Sequence, residues 1–483
     1  MKLYLNNVGI IKDSEVKLEG LTIITGKNSS GKTTVGKTIY SLISAGNNTV
    51  EAFDEARRKY ICSQINKIER TTQIRRFFRV RYQTMNKADK INMILWLLVS
   101  RRFVQMKLDE LMSFLYDLRD VLVHLTPEEY VKFFMDNQKE EREYVENFTN
   151  TIFDNFYDWQ AKALKISETT LEIIGEEGAY YNFVKSRTVA YLNHEFNKQI
   201  RPISKKRAVA RIILEYQNAT IVDARVKSKN LTEFSKDCSF VYPYERCIFI
   251  DNPFVIDALN EFYQSENSLY HSFDDRPSED IITSEDIESR DNILLRLLLQ
   301  SDSKNYFEDV EIQTKYKKVF EQINKIVPGE FVHGTNGFFY VNNGAKLAIN
   351  NLATGSKMFF IIKKLLLNGL LNDGTVLVLD EPESHLHPDW INKFAEMLVI
   401  LVKNVKVNVI LTTHSPNLLL ALSVYTKQHE IFDKTNMYLA EMGKDGTSQI
   451  KDIKENINEG YAHLSLPLVE MNIKLKKIET EEN

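Results

Sequence analysis

The sequence predicts an α/β fold with a parallel sheet and a large helical insertion. A glycine-rich loop follows an apolar strand pattern near the amino terminus, and a second apolar strand pattern far down the chain ends in two acids. Between them, residues Asn47 to Ile174 contain no glycine and one proline, Pro127. Since glycine and proline interrupt helices, that stretch is expected to be helical.

The first strand pattern, Leu21 to Thr25, leads into a loop of the form GxxxxGK[ST] and then into a helical pattern. This order predicts a phosphate-binding loop, in which main-chain N–H groups and a helix N-terminus surround phosphate oxygens. Lys32 would reach the β- and γ-phosphates of ATP, and the Thr33 hydroxyl would bind Mg²⁺. A simple glycine turn before a helix is the alternative. The expected nucleotide-binding residues are Gly26, Lys27, Asn28, Ser29, Ser30, Gly31, Lys32, Thr33 and Thr34.

The second strand pattern, Thr375 to Leu379, ends in Asp380 and Glu381. An acid at the carboxyl end of a buried parallel strand can lie beside the phosphate loop and bind Mg²⁺, which is the expected role of Asp380. Glu381 follows directly and is the candidate general base for an attacking water. An Asp-Glu pair is common in ordinary turns, so it indicates a catalytic site only in combination with the predicted phosphate loop.

Three further segments carry a family resemblance. LATGSK at Leu352 to Lys357, LVLDEPESHLHP at Leu377 to Pro388 and LTTHSP at Leu411 to Pro416 resemble the signature motif, Walker B with D-loop, and switch histidine of ABC-type ATPases. The HLHP sequence at His385 to Pro388 is closer to the SMC, RecF and OLD-nuclease branch of these ATPases than to transporters. Within that branch the chain most resembles the AAA-family ATPases of bacterial antiphage defence, in particular the PtuA-like ATPase of Septu and of Septu-type retron systems.

The resemblance implies an ABC/SMC-type P-loop ATPase head that closes around ATP as a head-to-tail homodimer or higher oligomer. The signature of one subunit would meet the γ-phosphate held by another, and His414 would sense that phosphate. The signature serine of the family is replaced here by Ala353, so Thr354 or Ser356 would substitute for it, or hydrolysis would be slow and binding would drive the switch. The implied contact residues are Ala353, Thr354, Gly355, Ser356 and Lys357.

The resemblance also implies partners. Many OLD nucleases carry a Toprim domain after the ATPase, but the residues after Pro416 contain no DxD pair, so no nuclease site is expected in this chain. For PtuA-like proteins the effector is an HNH-type nuclease, and in a retron a reverse transcriptase and its msDNA would be further partners. A RecF-like or SMC-like DNA repair or recombination ATPase is the alternative function. A transporter subunit is disfavoured by the helical insertion and the HLHP wording.

The chain is expected to divide into five segments. Residues 1–46 and 331–483 would form the two ends of the ATPase head, the latter with a final strand at Met437 to Glu441 and a helical tail. The intervening segments are 47–201 as helical insertion, 202–263 as head strands, and 264–330 as an acidic loop with helices.

Composition agrees with a large protein whose net charge of -4 gives no overall attraction to nucleic acid, so DNA contacts would come from local patches. One basic cluster lies between Arg70 and Arg81 and another between Lys198 and Arg211; solvated helix faces or intramolecular ion pairs are the alternative for both. Three cysteines without metal spacing, no signal peptide and no long apolar run predict a cytoplasmic protein without a membrane segment.

Overall fold

The computed structural model describes residues 1–71, 90–136, 142–202, 208–228, 231–269, 287–300, 306–334 and 337–481. They form two compact units. The first contains Met1–Asn47 and the described residues from Lys185 onward, and the second is Asn48–Val184.

All strands of the described residues belong to the first unit. They are β1 (Lys2–Val8), β2 (Ile11–Lys17), β3 (Leu21–Gly26), β4 (Ala210–Tyr216), β5 (Ala219–Ser228), β6 (Leu231–Phe234), β7 (Arg246–Ile250), β8 (Glu330–Gly334), β9 (Gly337–Asn342), β10 (Ala345–Ala348), β11 (Thr375–Asp380), β12 (Asn408–Thr413), β13 (Thr435–Met442) and β14 (Ser448–Asp452).

The helices follow the same chain order. They are α1 (Lys32–Gly46), α2 (Thr49–Thr71), α3 (Lys90–Ser100), α4 (Leu108–His124), α5 (Pro127–Asp136), α6 (Arg142–Ile174), α7 (Ala179–Glu195), α8 (Leu259–Leu269), α9 (Arg290–Leu299), α10 (Tyr306–Lys315), α11 (Lys317–Ile326), α12 (Thr354–Leu367), α13 (Pro388–Ile400), α14 (Pro416–Gln428) and α15 (Ile457–Glu481).

Eleven strands form one sheet in the order β6-β5-β4-β1-β2-β14-β13-β3-β12-β11-β7. From β13 to β7 neighbouring strands are parallel, and β3 pairs with β12 on one side and with β13 on the other. Because parallel strands end at the same edge of a sheet, the phosphate loop after β3, the acids after β11 and the turn after β12 come together there. Strands β8, β9 and β10 form a separate antiparallel sheet.

Apolar side chains alternate between the two faces of the central strands and fill a core on each side. In β3, Ile23 belongs to one core and Ile24 to the other. Helix α12 is buried over most of its length in the first core, while α1 packs in the second. Strands that are buried on both faces, such as β3 and β11, therefore show nearly continuous apolar sequence.

The second unit is helical and has its own core. Helices α2, α4 and α6 contact one another, and Phe103, Leu115 and Phe156 are fully buried among them. Thr126 precedes α5 and forms the capping box expected from its spacing to Glu129: the Glu129 amide donates to the Thr126 hydroxyl, and the Thr126 amide donates to the Glu129 carboxylate. The predicted α/β class with a large helical insertion is confirmed.

One expectation about the strands is wrong. Met437 to Glu441 is not the final strand, since β14 follows and pairs antiparallel with β13. Its sequence, SQIKD, is short and mostly polar, so it lacks an apolar pattern. The acidic loop around Asp274 to Glu285 and the arginines between Arg75 and Arg81 lie outside the described residues, as do Lys205, Lys206 and Arg207. Among the helices of the described residues, none is long and apolar enough to cross a membrane.

Candidate ATP-binding and hydrolysis site

The phosphate loop has the backbone shape that its glycines predict. Gly26, Ser29 and Gly31 all have positive φ, at 151°, 61° and 89°. A Cβ atom at Gly26 would lie 2.6 Å from the carbonyl oxygen of Ala440, so only glycine fits beside β13. The hydroxyl of Ser30 is buried and forms no hydrogen bond within the described structure, leaving a polar atom available inside the loop.

Lys32 is the first residue of α1, and its side chain is 3% exposed. The ammonium group curls back over the loop and donates to the carbonyl oxygens of Gly26 and Lys27, at 3.0 and 2.9 Å. Its Nζ also lies 3.3 Å from Oε1 of Glu381. The buried cation is thus held inside the loop, where phosphate oxygens are expected to bind.

Asp380 ends β11 and contacts the residue that follows Lys32. The Thr33 hydroxyl lies 3.0 and 2.9 Å from the two carboxylate oxygens of Asp380, and the Thr412 hydroxyl on β12 donates to Oδ1. Burial raises the pKa of Asp380, and the nearby carboxylates Glu381 and Asp251 act in the same direction, whereas the two threonine hydroxyls lower it. A divalent cation beside this carboxylate would favour its charged form.

Glu381 is held by its backbone at the edge of the sheet. It has a positive φ of 49°, and its amide donates to the carbonyl and hydroxyl oxygens of Thr412, at 3.2 and 3.1 Å. The side chain is 31% exposed, and Oε2 lies 3.2 Å from Nδ1 of His414. The carboxylate therefore lies between Lys32 and His414, with part of its surface open to solvent.

Glu383 is a site residue that sequence reasoning missed. Its side chain is 3% exposed, and its Oε1 accepts hydrogen bonds from the Thr413 hydroxyl and from the His414 amide, the latter at 3.2 Å. Oε1 also lies 4.0 Å from His414 Nδ1, while Oε2 is buried with no hydrogen-bond partner in the described structure. Burial raises the pKa of Glu383. The sequence signal that could have identified Glu383 is its place in the DEPES segment, as a third acid just after Asp380 and Glu381.

The predicted signature residues begin α12. Ala353 is the N-cap residue, and its carbonyl accepts from the amides of Ser356 and Lys357. The amides of Thr354 and Gly355 come earlier in the first turn, where a helix offers no internal acceptor. A Cβ atom at Gly355 would lie 3.1 Å from Leu386 and 3.4 Å from the carbonyl oxygen of His385, so this turn lies against the segment that follows β11.

The side chain of Lys357, in the first turn of α12, contacts the segment that follows β7. It is 4% exposed, pairs with the carboxylate of Asp257 at 2.5 Å and lies over the ring of Phe254. Phe254 in turn contacts the His385 ring edge-on. The signature turn, the segment after β7 and the segment after β11 are therefore packed together.

The fold thus joins one group of predicted residues directly: Lys32 and Thr33 contact Glu381 and Asp380, and Glu381 contacts His414. The predicted signature residues form a second group, which contacts the segments around Asp257 and Leu386.

The sequence pattern of a family described as AAA ATPase domain, AAA_15, matches residues 1–419. The chain belongs to this ATPase family. The matched range includes Lys32, Thr33, Asp380, Glu381 and His414, so it covers the whole first group of residues.

Among curated proteins, this ATPase is similar to the Retron Vc95 probable ATPase of Vibrio cholerae serotype O1 biovar El Tor. The two are 25% identical over 202 residues, which cover 36% of this chain and 38% of that relative. The match therefore spans well under half of the relative's length.

Among solved structures, the chain is similar to the SMC head domain from Thermotoga maritima, with 10% identity, a TM-score of 0.36, and coverage of 93% of this chain and 97% of that one. A Smc head domain derived from Pyrococcus yayanosii gives 8% identity and a TM-score of 0.34, with coverage of 96% and 99%. These scores are too low for the likeness to support a function.

Proposed function

We propose that this chain binds and hydrolyses ATP as the ATPase subunit of an antiphage defence complex. ATP hydrolysis is supported by one observation: five predicted site residues meet at one edge of the sheet, namely Lys32, Thr33, Asp380, Glu381 and His414. These residues supply a phosphate-binding cation, two oxygen ligands for a metal, a general base and a group able to sense phosphate.

The residues fit Mg²⁺ and a nucleotide phosphate. The Thr33 hydroxyl and the Asp380 carboxylate are adjacent oxygen donors, which is the ligand type that Mg²⁺ prefers. Bound there, Mg²⁺ would neutralise charge on the phosphate oxygens. The buried, unpaired hydroxyl of Ser30 and the glycine-requiring turn at Gly26 fit a phosphate in the loop.

The chain's own residues define the chemistry. Phosphate oxygens in the loop would compete with Glu381 for the ammonium of Lys32, so that substrate binding releases the carboxylate. Glu381 would then accept a proton from the water that attacks the γ-phosphorus, as the bond to the ADP oxygen breaks. His414, next to Glu381, would sense the γ-phosphate.

The signature turn at Thr354 to Ser356 would complete the site of a second copy, because its helix N-terminus offers amides to an anion. One phosphate loop and one signature per chain give two composite sites in a closed twofold dimer, which can assemble further. Because ATP would lie between the two copies in each composite site, association of the two heads would depend on ATP.

The retron relative supports the defence role, and the effector would be a separate HNH-type nuclease that the ATPase holds or restrains. If the gene belongs to a retron, reverse transcriptase and msDNA would join the complex, and DNA is a further candidate ligand. The complex would work in the cytoplasm, where the three buried cysteines stay free thiols.

Two measurements test the proposal. The purified chain should release phosphate from ATP in the presence of Mg²⁺, and Glu381→Gln should remove that release. Cells that carry the gene with its neighbouring genes should restrict phage plating, and Lys32→Ala should restore plating. Phosphate release without any effect of Lys32→Ala on plating would retain the ATPase and reject the defence role.

A further inference from the structure

The carboxyl-terminal helix α15 carries large apolar side chains on its solvent-facing surface. Leu468 is 64% exposed, Met471 62%, Leu475 54% and Ile478 53%. Isolated exposed leucines are normal in proteins, but a contiguous apolar surface marks an interaction site. We call these four residues the α15 seam.

The spacing of the seam follows a heptad repeat. Leu464, Leu468, Met471, Leu475 and Ile478 are separated by alternating steps of four and three residues. Since an α-helix has 3.6 residues per turn, these positions form one stripe along the helix. In heptad notation Leu468 and Leu475 occupy a positions, while Met471 and Ile478 occupy d positions.

The stripe continues from a part of α15 that is already packed. Ile457 and Leu464 lie against the core of the first unit. Pro467, inside the helix, cannot donate a main-chain hydrogen bond, and from Leu466 to Glu479 every residue is exposed. Within the described residues, the second half of α15 thus presents the seam to solvent with no helix packed on it.

The charges beside the seam favour a second copy of the same helix in parallel. Lys474 occupies a g position, and Glu479 occupies the e position of the following heptad, which begins at Leu475. When two such helices lie side by side in the same direction and register, Lys474 of each lies opposite Glu479 of the other. By symmetry this pairing occurs twice, so the surface is complementary to itself.

We propose that α15 pairs in parallel with α15 of another copy of this chain through the seam, with Leu475 facing Leu475 and Met471 facing Met471. The contact does not involve nucleotide, so it holds copies together before any ATP-dependent closure of the heads. A linked pair meets at high effective concentration, which lets a weak head contact form between the same two chains. Leucine at a with isoleucine at d, as at Leu475 and Ile478, shifts the preference of parallel coiled coils toward three or four strands, so further copies can join the same seam.

Light scattering after size exclusion, without nucleotide and at micromolar protein, tests the proposal. The wild-type chain should elute with the mass of two or more copies, and Leu468→Asp with Leu475→Asp should reduce it to the mass of one. The matched control is Ile473→Asp, because Ile473 is 51% exposed on the same helix but occupies an f position away from the seam. A wild-type mass of one chain, or equal effects of the two variants, would reject the pairing.

Cysteine cross-linking tests the direction of the helices. Leu475→Cys should form an intermolecular disulfide under mild oxidation, since residues at a face each other only in a parallel, in-register pair; Ile473→Cys should not. Cys62, Cys238 and Cys247 are buried and give little background. The same result in a Lys32→Ala background separates this contact from ATP-dependent association. Absence of the cross-link in an oligomeric Leu475→Cys protein would exclude the parallel arrangement.

Discussion

Nζ of Lys32 lies 3.3 Å from Oε1 of Glu381, so the proposed phosphate-binding cation and the candidate base are paired with each other. In this arrangement the Glu381 carboxylate is engaged by the buried ammonium of Lys32. ATP would separate the two by offering Lys32 stronger anionic partners. ATP binding and release of the Glu381 carboxylate are then linked through one ion pair.

Lys32→Ala should weaken ATP binding at least roughly tenfold, because a hydrogen bond to a charged group contributes about 1.5–3 kcal/mol. Isothermal titration of the purified proteins measures the difference. Lys37→Ala, further along α1, is the matched control and should bind like wild type. Equal affinity of the Lys32→Ala and wild-type proteins would remove the phosphate loop from the nucleotide site.

Glu381→Gln should bind ATP but lose hydrolysis by a factor of about 10²–10⁴, since an amide can hold a water but cannot accept its proton. Single-turnover phosphate release measures the chemical step directly. The variant should also keep ATP-bound heads associated, visible as a nucleotide-dependent increase in mass. Wild-type turnover in this variant would mean that another group accepts the proton.

Glu383 gives a prediction about stability. Glu383→Ala leaves the Thr413 hydroxyl and the His414 amide without their acceptor and should cost about 1–3 kcal/mol in the free energy of unfolding. Glu383→Gln keeps an acceptor oxygen and should be at least as stable as wild type at neutral pH. Chemical denaturation of both variants measures this, and equal destabilisation by Ala and Gln would show that the two hydrogen bonds are not the cause.

The same residue predicts a pH dependence. Burial raises the pKa of Glu383 in the folded protein, so the folded state holds its proton more tightly than the unfolded state. That contribution to stability is complete below the unfolded pKa and is lost as pH rises through the folded pKa. The free energy of unfolding, measured from acidic to neutral pH, should therefore fall less steeply with pH in Glu383→Gln than in wild type; parallel curves would contradict the assignment.

Gly355→Asp should leave ATP binding by the phosphate loop intact and block hydrolysis, because a carboxylate at the start of α12 would repel the phosphate of the second subunit. Equilibrium binding and steady-state phosphate release report the two effects. Gly355→Asn is the control of equal size, and the difference between the two variants isolates the charge. Full activity in the Gly355→Asp protein would exclude the composite site.

Mixing two variants tests the composite site more directly. Lys32→Ala and Gly355→Asp damage opposite faces of a head-to-tail pair, so a mixed pair contains one intact site and one doubly damaged site. After subunit exchange, ATP hydrolysis should partly recover. Proven exchange without recovery would mean that the two sites act only together or that the signature assignment is wrong.

The sequence predicted those features that depend on local pattern. The phosphate loop follows from glycine and lysine spacing, and β3 and β11 follow from apolar runs that are buried on both faces. The contact of Glu383 with Thr413 required knowing that β11 and β12 are neighbours, which no local pattern states. The pairing of Lys357 with Asp257 joins residues far apart in sequence and was likewise not predictable.

The position of β3 between β12 and β13 has a consequence for synthesis on the ribosome. Both strands that flank residues Leu21–Gly26 come from the last quarter of the chain, at Asn408–Thr413 and Thr435–Met442. At about 5–20 residues per second, the phosphate-loop strand would wait roughly 20–80 s for its neighbours. The proposed phosphate loop is therefore made before the strands that hold β3 in the sheet, and we expect ATP binding only after Asn408–Thr413 and Thr435–Met442 have been translated.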